Sequence, residues 1–133
     1  MLCPYQNGDH MVTVFIIEDE PILLDIYSNI LELKGHKVMG HAYDGNEGLQ
    51  KLLGPESINI PEPDFIIMDY RLPIKNGLDT MIELLNNKPN LKIIFISADI
   101  SVKAEALYLG AFDFIEKPFN METLFSTIEK IKN

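Results

Sequence analysis

The sequence predicts an α/β fold, a doubly wound five-stranded parallel sheet with helices on both faces. Three observations predict it. Strand-like runs alternate with helix-like segments five times, the pattern of a parallel sheet built with right-handed crossovers. Phe65-Ile66-Ile67-Met68 and, after its opening Lys92, the run over residues 92–96 are apolar without alternation, as strands buried on both faces are. Polar groups gather where such runs stop: Glu18 and Asp19, Asp69, Ser97, and Lys117.

Each element has its own signal. Residues 12–17 are β-branched and aromatic and read as the first strand. Pro21 sits in a first helical turn, where its missing N–H costs nothing. Leu23, Ile26, Tyr27, Ile30, Leu31 and Leu33 give that helix an apolar face, and Gly35 ends it. A second strand is expected at residues 37–42, and Asp44 caps a short helix that closes near Gly54. Pro55, Pro61 and Pro63 block regular structure in the loop that follows. The third strand ends at Asp69, with Pro73 and Gly77 shaping the turn behind it. A helix near residues 78–86 carries Leu78, Met81, Ile82 and Leu85 on one side. After the fourth strand comes a helix over residues 101–109 closed by Gly110, then a short strand at residues 112–115. Asn120 caps the last helix, Phe119 and Leu124 take the positions of a hydrophobic staple, and Leu124, Ile128 and Ile131 form its buried face.

Composition narrows the function. At 133 residues the chain is one domain with room for a sizeable core. A net charge of −9, with Arg71 the sole arginine, argues against direct nucleic-acid binding, which needs clustered cations. No apolar run approaches the roughly 20 residues that span a bilayer, so no membrane insertion is expected. Residues 1–10 lack the order of a signal peptide, and Cys3 is a lone thiol; both point to the cytoplasm. Those ten residues show no periodicity and are set aside as an extension or appended remnant. The domain proper is taken as residues 11–133.

In a parallel sheet all strand tips face one way, so Glu18, Asp19, Asp69, Ser97 and Lys117 are expected to converge. Crowded carboxylates repel, and protons or a cation relieve them. An all-oxygen site with few protein ligands suits Mg²⁺. A carboxylate, a divalent cation, a lysine and a hydroxyl together fit phosphoryl transfer to Asp69.

In these motifs the chain resembles a response-regulator receiver domain of two-component signalling. The match rests on the Glu18-Asp19 pair, Asp69 with Leu72-Pro73 and Gly77, Ser97-Ala98, and Lys117-Pro118-Phe119, and it runs from about Met11 to Asn133. The resemblance implies the flavodoxin-like strand order 2-1-3-4-5, for which a chemotaxis member of this family is a standard example. It implies that Asp69 accepts a phosphoryl group from a histidine kinase, a phosphotransfer protein or acetyl phosphate. Mg²⁺ would be held by Asp19, Asp69 and the backbone carbonyl of Arg71, with Glu18 acting through water. Ser97 and Lys117 would contact the phosphoryl oxygens, and Phe114 would turn inward behind Ser97. The surface of the fourth helix, fifth strand and fifth helix would then change its preference for a downstream protein or output domain.

Two positions depart from the commonest pattern. Glu18 lengthens the first acid by a methylene. Phe114 lacks the usual tyrosine hydroxyl, so its coupling to Ser97 must be packing. Arg71 and Asp99 occupy the variable positions beside the phosphate and are expected to pair across its mouth, modulating water attack. Ile100, Val102, Leu107 and Tyr108 exceed what one buried face needs, which points to a partner surface or a phosphorylation-dependent homodimer.

The alternatives fit less well. A degenerate receiver acting as a phosphorylation-independent interaction module would be expected to lose one of the acids or Lys117. A flavodoxin-type FMN carrier needs a phosphate loop where Glu18-Asp19-Glu20 stands. An aspartyl-phosphate phosphatase wants an acid at position 71. A histidine phosphotransfer module needs an exposed histidine on a helical bundle, whereas His36 and His41 flank a strand away from the tips. The sequence leaves both a stand-alone receiver and part of a longer protein open.

Overall fold

Thr13–Ile17 (β1), Phe65–Met68 (β3) and Ile93–Ser97 (β4) are rich in β-branched and aromatic residues, which favour a pleated backbone. Lys37–Ala42 (β2) and Asp113–Glu116 (β5) are more polar and form the two edges. In the computed structural model, which describes residues 11–132, all strands pair in parallel in the order β2-β1-β3-β4-β5. Fold class and strand order are those expected. The extension at residues 1–10 lies outside the described residues.

Side-chain alternation along the strands divides the core into two layers. Phe15, Ile17, Ile66, Met68, Ile93 and Phe95 face Gly45–Leu53 (α2), Gly77–Asn87 (α3) and Lys103–Leu109 (α4). Val14, Ile16, Phe65, Ile67, Ile94 and Ile96 face Pro21–Leu33 (α1) and Met121–Lys132 (α5). Burial on both faces is why these strands read as unbroken apolar runs.

The helix ends follow local chemistry. Pro21 opens α1, and Gly35 beyond its end takes φ +86°. The Asp44 carboxylate accepts from Glu47 N–H at 2.7 Å, and Asn120 Oδ1 accepts from Thr123 N–H at 3.0 Å. Asn76 caps α3 in the same way, accepting from Asp79 N–H.

Several expectations need correction. The buried face of α1 is Leu24, Tyr27 and Leu31, whereas Ile26 and Leu33 point to solvent. The residues singled out in sequence straddled two adjacent stripes, and the sheet covers just one. On α3, Leu84 is fully buried, while Ile82 and Leu85 are half-buried. The proline-rich loop after α2 is not irregular throughout, since Pro55–Asn59 forms a 3₁₀ turn opened by Pro55. The helix expected over 101–109 begins with a 3₁₀ turn, Ile100–Val102, and becomes α-helical at Lys103. On that segment Ala106 is buried, Val102 packs against the core, and Ile100, Leu107 and Tyr108 are exposed. His36 is buried with Nδ1 accepting from Val12 N–H, and the His41 ring packs edge-on against Tyr43. No helix among the described residues is long and apolar enough to cross a membrane.

Candidate functional site

Strand register brings the predicted groups together. Ile17 of β1 lies beside Met68 of β3, so the next residues, Glu18 and Asp69, leave the sheet side by side. Ser97 of β4 pairs with Glu116 of β5, and Lys117 N–H donates to the Ser97 carbonyl at 3.0 Å. A cis peptide joins Lys117 to Pro118.

Lys117 is the hub. Its Nζ lies 3.4 Å from Asp69 Oδ2 and 3.9 Å from Glu18 Oε1, and its side chain is mostly buried. Two carboxylates share one cation, and both are largely withdrawn from water, at 12% and 2% side-chain exposure. Asp69 Oδ1 also accepts from the backbone N–H of Arg71 at 3.3 Å. The Ser97 hydroxyl is buried and accepts from Asp99 N–H at 3.1 Å. With a lone pair so engaged, its own proton remains available to an oxygen above Asp69.

Burial pushes the Glu18 carboxyl up to about 7; the Glu20 N–H and Lys117 oppose the shift, and Asp69 adds to it. A carboxyl displaced far from its solution behaviour thus sits beside the one expected to react, a pattern typical of functional sites.

Carboxylate oxygens of Glu18, Asp19 and Glu20 lie within 4.8 Å of one another. This all-oxygen donor set at the carboxyl end of β1 fits a hard divalent cation. Glu20 is the acid of this cluster that sequence reading did not name among the candidates. The signal was present in the uninterrupted run of three acids, but a helix-preceding acid is ordinarily credited to the helix dipole.

The flanking positions also meet. Arg71 Nη2 lies 3.3 Å from Asp99 Oδ2, the pairing expected from sequence. Ser101 donates its hydroxyl and N–H to Asp99 Oδ1, and these bonds, with Arg71, hold the Asp99 carboxyl below its usual range. Phe114 is 5% exposed and stacks on Phe95 with ring centroids 6.1 Å apart.

The loop beyond Asp69 depends on one close approach. Gly77 begins α3 with its N–H donating to the Tyr70 carbonyl at 2.8 Å. A Cβ there would lie 2.2 Å from the Asp69 carbonyl oxygen. Ile74, in the same loop, takes φ +71°, a costly conformation for a β-branched side chain.

Known proteins resemble this chain in sequence and in fold. The sequence profile of the response regulator receiver domain matches residues 14–129. The chemotaxis protein CheY of Thermotoga maritima is 32% identical over 120 residues, covering 89% of this chain and 95% of that protein. The probable C4-dicarboxylate response regulator DctR of Bacillus subtilis is 34% identical over 122 residues, covering 90% of this chain. The chain spans about half, 51%, of that relative's length. Among solved structures, a response regulator receiver domain protein from Clostridium thermocellum superposes with a TM-score of 0.81 at 26% identity, covering 92% of this chain and 94% of that one. A profile match over most of the chain and a relative that it covers almost end to end decide the family: this protein belongs to the response-regulator receiver domains of two-component signalling.

Proposed function

We propose that this domain is a phosphoacceptor whose Asp69 takes a phosphoryl group in a magnesium-dependent reaction. The donor is a histidine kinase, a phosphotransfer protein or a small acyl phosphate. The observation that carries the reading is Lys117 Nζ at 3.4 Å from Asp69 Oδ2, beside the acidic cluster at the strand tips.

Asp69 Oδ attacks phosphorus, the bond from phosphorus to the donor's nitrogen or oxygen breaks, and the leaving group departs with the bonding electrons. Lys117 and the Ser97 hydroxyl stand ready for phosphoryl oxygens as charge develops there. Asp19 and Asp69, with the Arg71 carbonyl, would hold magnesium, and Glu18 would act through water. When bound, that ion supplies charge neutralisation to the carboxylates and the incoming phosphoryl group. The Arg71–Asp99 pair would screen the acyl phosphate from water. The signal would leave through the exposed apolar residues Ile100, Leu107 and Tyr108, which offer a downstream protein, an output domain or a second copy a docking face.

Intact mass after incubation with acetyl phosphate tests the reading. One phosphoryl adduct is expected with magnesium, none without it, and none in Asp69→Asn. An adduct that survives in Asp69→Asn would sink the assignment. Absence of any adduct, with beryllofluoride also failing to bind, would favour the phosphorylation-independent interaction module. On the adducted protein, Arg71→Ala is expected to shorten the phosphoryl half-life several-fold with little change in stability, because exposed ion pairs contribute ~0–1 kcal/mol. An unchanged half-life would remove the pair from the kinetics.

Magnesium affinity should depend on pH through Glu18. Its folded-state pKa of about 7 lies above its ordinary value of 4.5, so the metal-free fold prefers the protonated acid. That contribution to stability is fully present below 4.5 and lost as pH rises through about 7. The cation needs the carboxylate, so affinity is expected to climb between about pH 6 and 8 with net proton release. Calorimetry in buffers of different ionisation enthalpy reads both, and a flat profile would contradict the expectation.

A further inference from the structure

An apolar groove of about 430 Å³ lies beside the strand tips and has no part in the chemistry above. Leu23 and Ile26 of α1 line it, and so do Phe119 and Met121 at the entry to α5. Ile26 is exposed, and Leu23, Phe119 and Met121 are half-buried, so the walls are open to a visitor. Cavities of about 300–1,000 Å³ with apolar walls and a few polar groups are the usual hosts of small molecules.

Two residues join the groove to the site. Lys117 lines it, and the same side chain places its Nζ 3.4 Å from Asp69 Oδ2. Ala98 lines it too, directly after Ser97 in the chain. The groove is thus continuous with the place where a phosphoryl group would sit on Asp69.

Its polarity is one-sided. Lys117 is the one charged side chain among the lining residues. The Tyr27 ring also lines the groove, packed against Phe119 with centroids 6.1 Å apart. The Tyr27 hydroxyl is buried without a hydrogen-bond partner among the described residues. Burial first, and then the charges of Glu18, Asp69 and Glu20, keep that phenol from ionising, so the groove adds no anion of its own. An occupant complementary to this lining is anionic at the end held by Lys117 and apolar along the rest. A peptide backbone would bring amides that these walls cannot satisfy, whereas an alkyl chain brings none.

We propose that the groove is an acyl subsite, holding the alkyl tail of a short-chain acyl phosphate whose phosphoryl group is delivered to Asp69. The proposal rests on the phosphoacceptor reading above and adds to it a preferred class of small donor, with a tail longer than acetyl's methyl. Asp69 Oδ attacks phosphorus, the bond from phosphorus to the acyl oxygen breaks, and the carboxylate leaves with the bonding pair; no proton moves. Straight-chain carboxylates are nearly equal as leaving groups. A longer tail therefore changes binding and leaves the reactivity of the phosphoryl group as it was.

Uptake followed by intact mass at saturating magnesium would compare acetyl, propanoyl and butanoyl phosphate. A fully buried methylene is worth about fourfold in affinity, and an open groove removes part of each from water. The second-order rate constant is expected to rise about 5–10-fold from acetyl to butanoyl phosphate. Ile26→Gln combined with Met121→Gln would set amides along the tail. That double variant is expected to bring the ratio to within about twofold of unity, with acetyl phosphate still used at the wild-type rate.

A flat wild-type series, with all three donors within about twofold, would overturn the proposal and give the groove to a side chain of a protein donor. A butanoyl preference that survives in the double variant would overturn it as well. The wild-type series needs no substitution and decides the question if the variant does not fold. A folded wild type that binds magnesium and takes up phosphoryl from none of the three overturns the phosphoacceptor reading and the subsite with it. Equal uptake from all three overturns the subsite alone.

Discussion

Lys117→Met is expected to slow phosphoryl uptake by Asp69 about 10²–10³-fold, the usual effect of removing one preorganised stabiliser of developing charge. The expectation follows from where the ammonium is held. It is mostly buried, 3.4 Å from one carboxylate and 3.9 Å from another, in a place where water screens poorly. Methionine fills similar space without the charge, so the loss should be one of chemistry more than of packing. Magnesium affinity should move the other way or stay level, because Lys117 and a divalent cation neutralise the same carboxylates. That opposition separates the role in catalysis from general damage to the site. Lys117→Arg should not restore the rate, since a planar guanidinium does not place charge where a compact ammonium does. Time courses of adduct formation at saturating magnesium would decide the matter. Uptake within about threefold of wild type would remove Lys117 from the reacting group.

The same lysine shows why so much of the site was legible in the sequence. Nothing in Glu116-Lys117-Pro118 marks a reactive lysine by itself. Its meaning came from position, at the tip of a fifth strand in a chain whose other tips already carried Glu18, Asp69 and Ser97. Parallel register did the rest, because Ile17 beside Met68 and Ser97 beside Glu116 fix which residues emerge together. The Arg71–Asp99 pair was foreseeable for the same reason, each lying two residues past a tip. What stayed hidden depends on side-chain direction and close approach. Tyr27 and Ile26 sit on neighbouring stripes of α1, and sequence could not say which faced the sheet. Tyr27 read as one more apolar-face residue, since periodicity registers the ring and ignores the hydroxyl. The 3₁₀ turns at Pro55–Asn59 and Ile100–Val102 carry no hydrophobic period to detect.

Gly77 was the other feature that sequence could name without explaining, and Gly77→Ala is expected to produce the largest loss of stability from a single methyl group here. The backbone at Gly77 does not require glycine by its torsions, so the argument is one of space. A Cβ would meet the Asp69 carbonyl oxygen at 2.2 Å and a Phe95 ring carbon at 2.8 Å. Neither can yield cheaply. The carbonyl belongs to the backbone that positions the phosphoacceptor, and the Phe95 ring is buried and stacked on Phe114. Overpacking of this kind costs about 1–3 kcal/mol. Alanine's better helix propensity offsets at most about 1 kcal/mol of that. Gly48→Ala is the control, because its Cβ would meet the end of the Ile17 side chain at 2.6 Å, and a terminal methyl can rotate away. Chemical denaturation of both variants would rank them, with Gly77→Ala expected to lose about 2 kcal/mol and Gly48→Ala less. The two should differ more sharply in phosphoryl uptake, because relief of the clash at Gly77 has to move Asp69, whereas relief at Gly48 moves a side chain in the core. Equal stability losses, or a Gly77→Ala variant that takes up phosphoryl at the wild-type rate, would mean that the approach of α3 to Asp69 is looser than these distances make it.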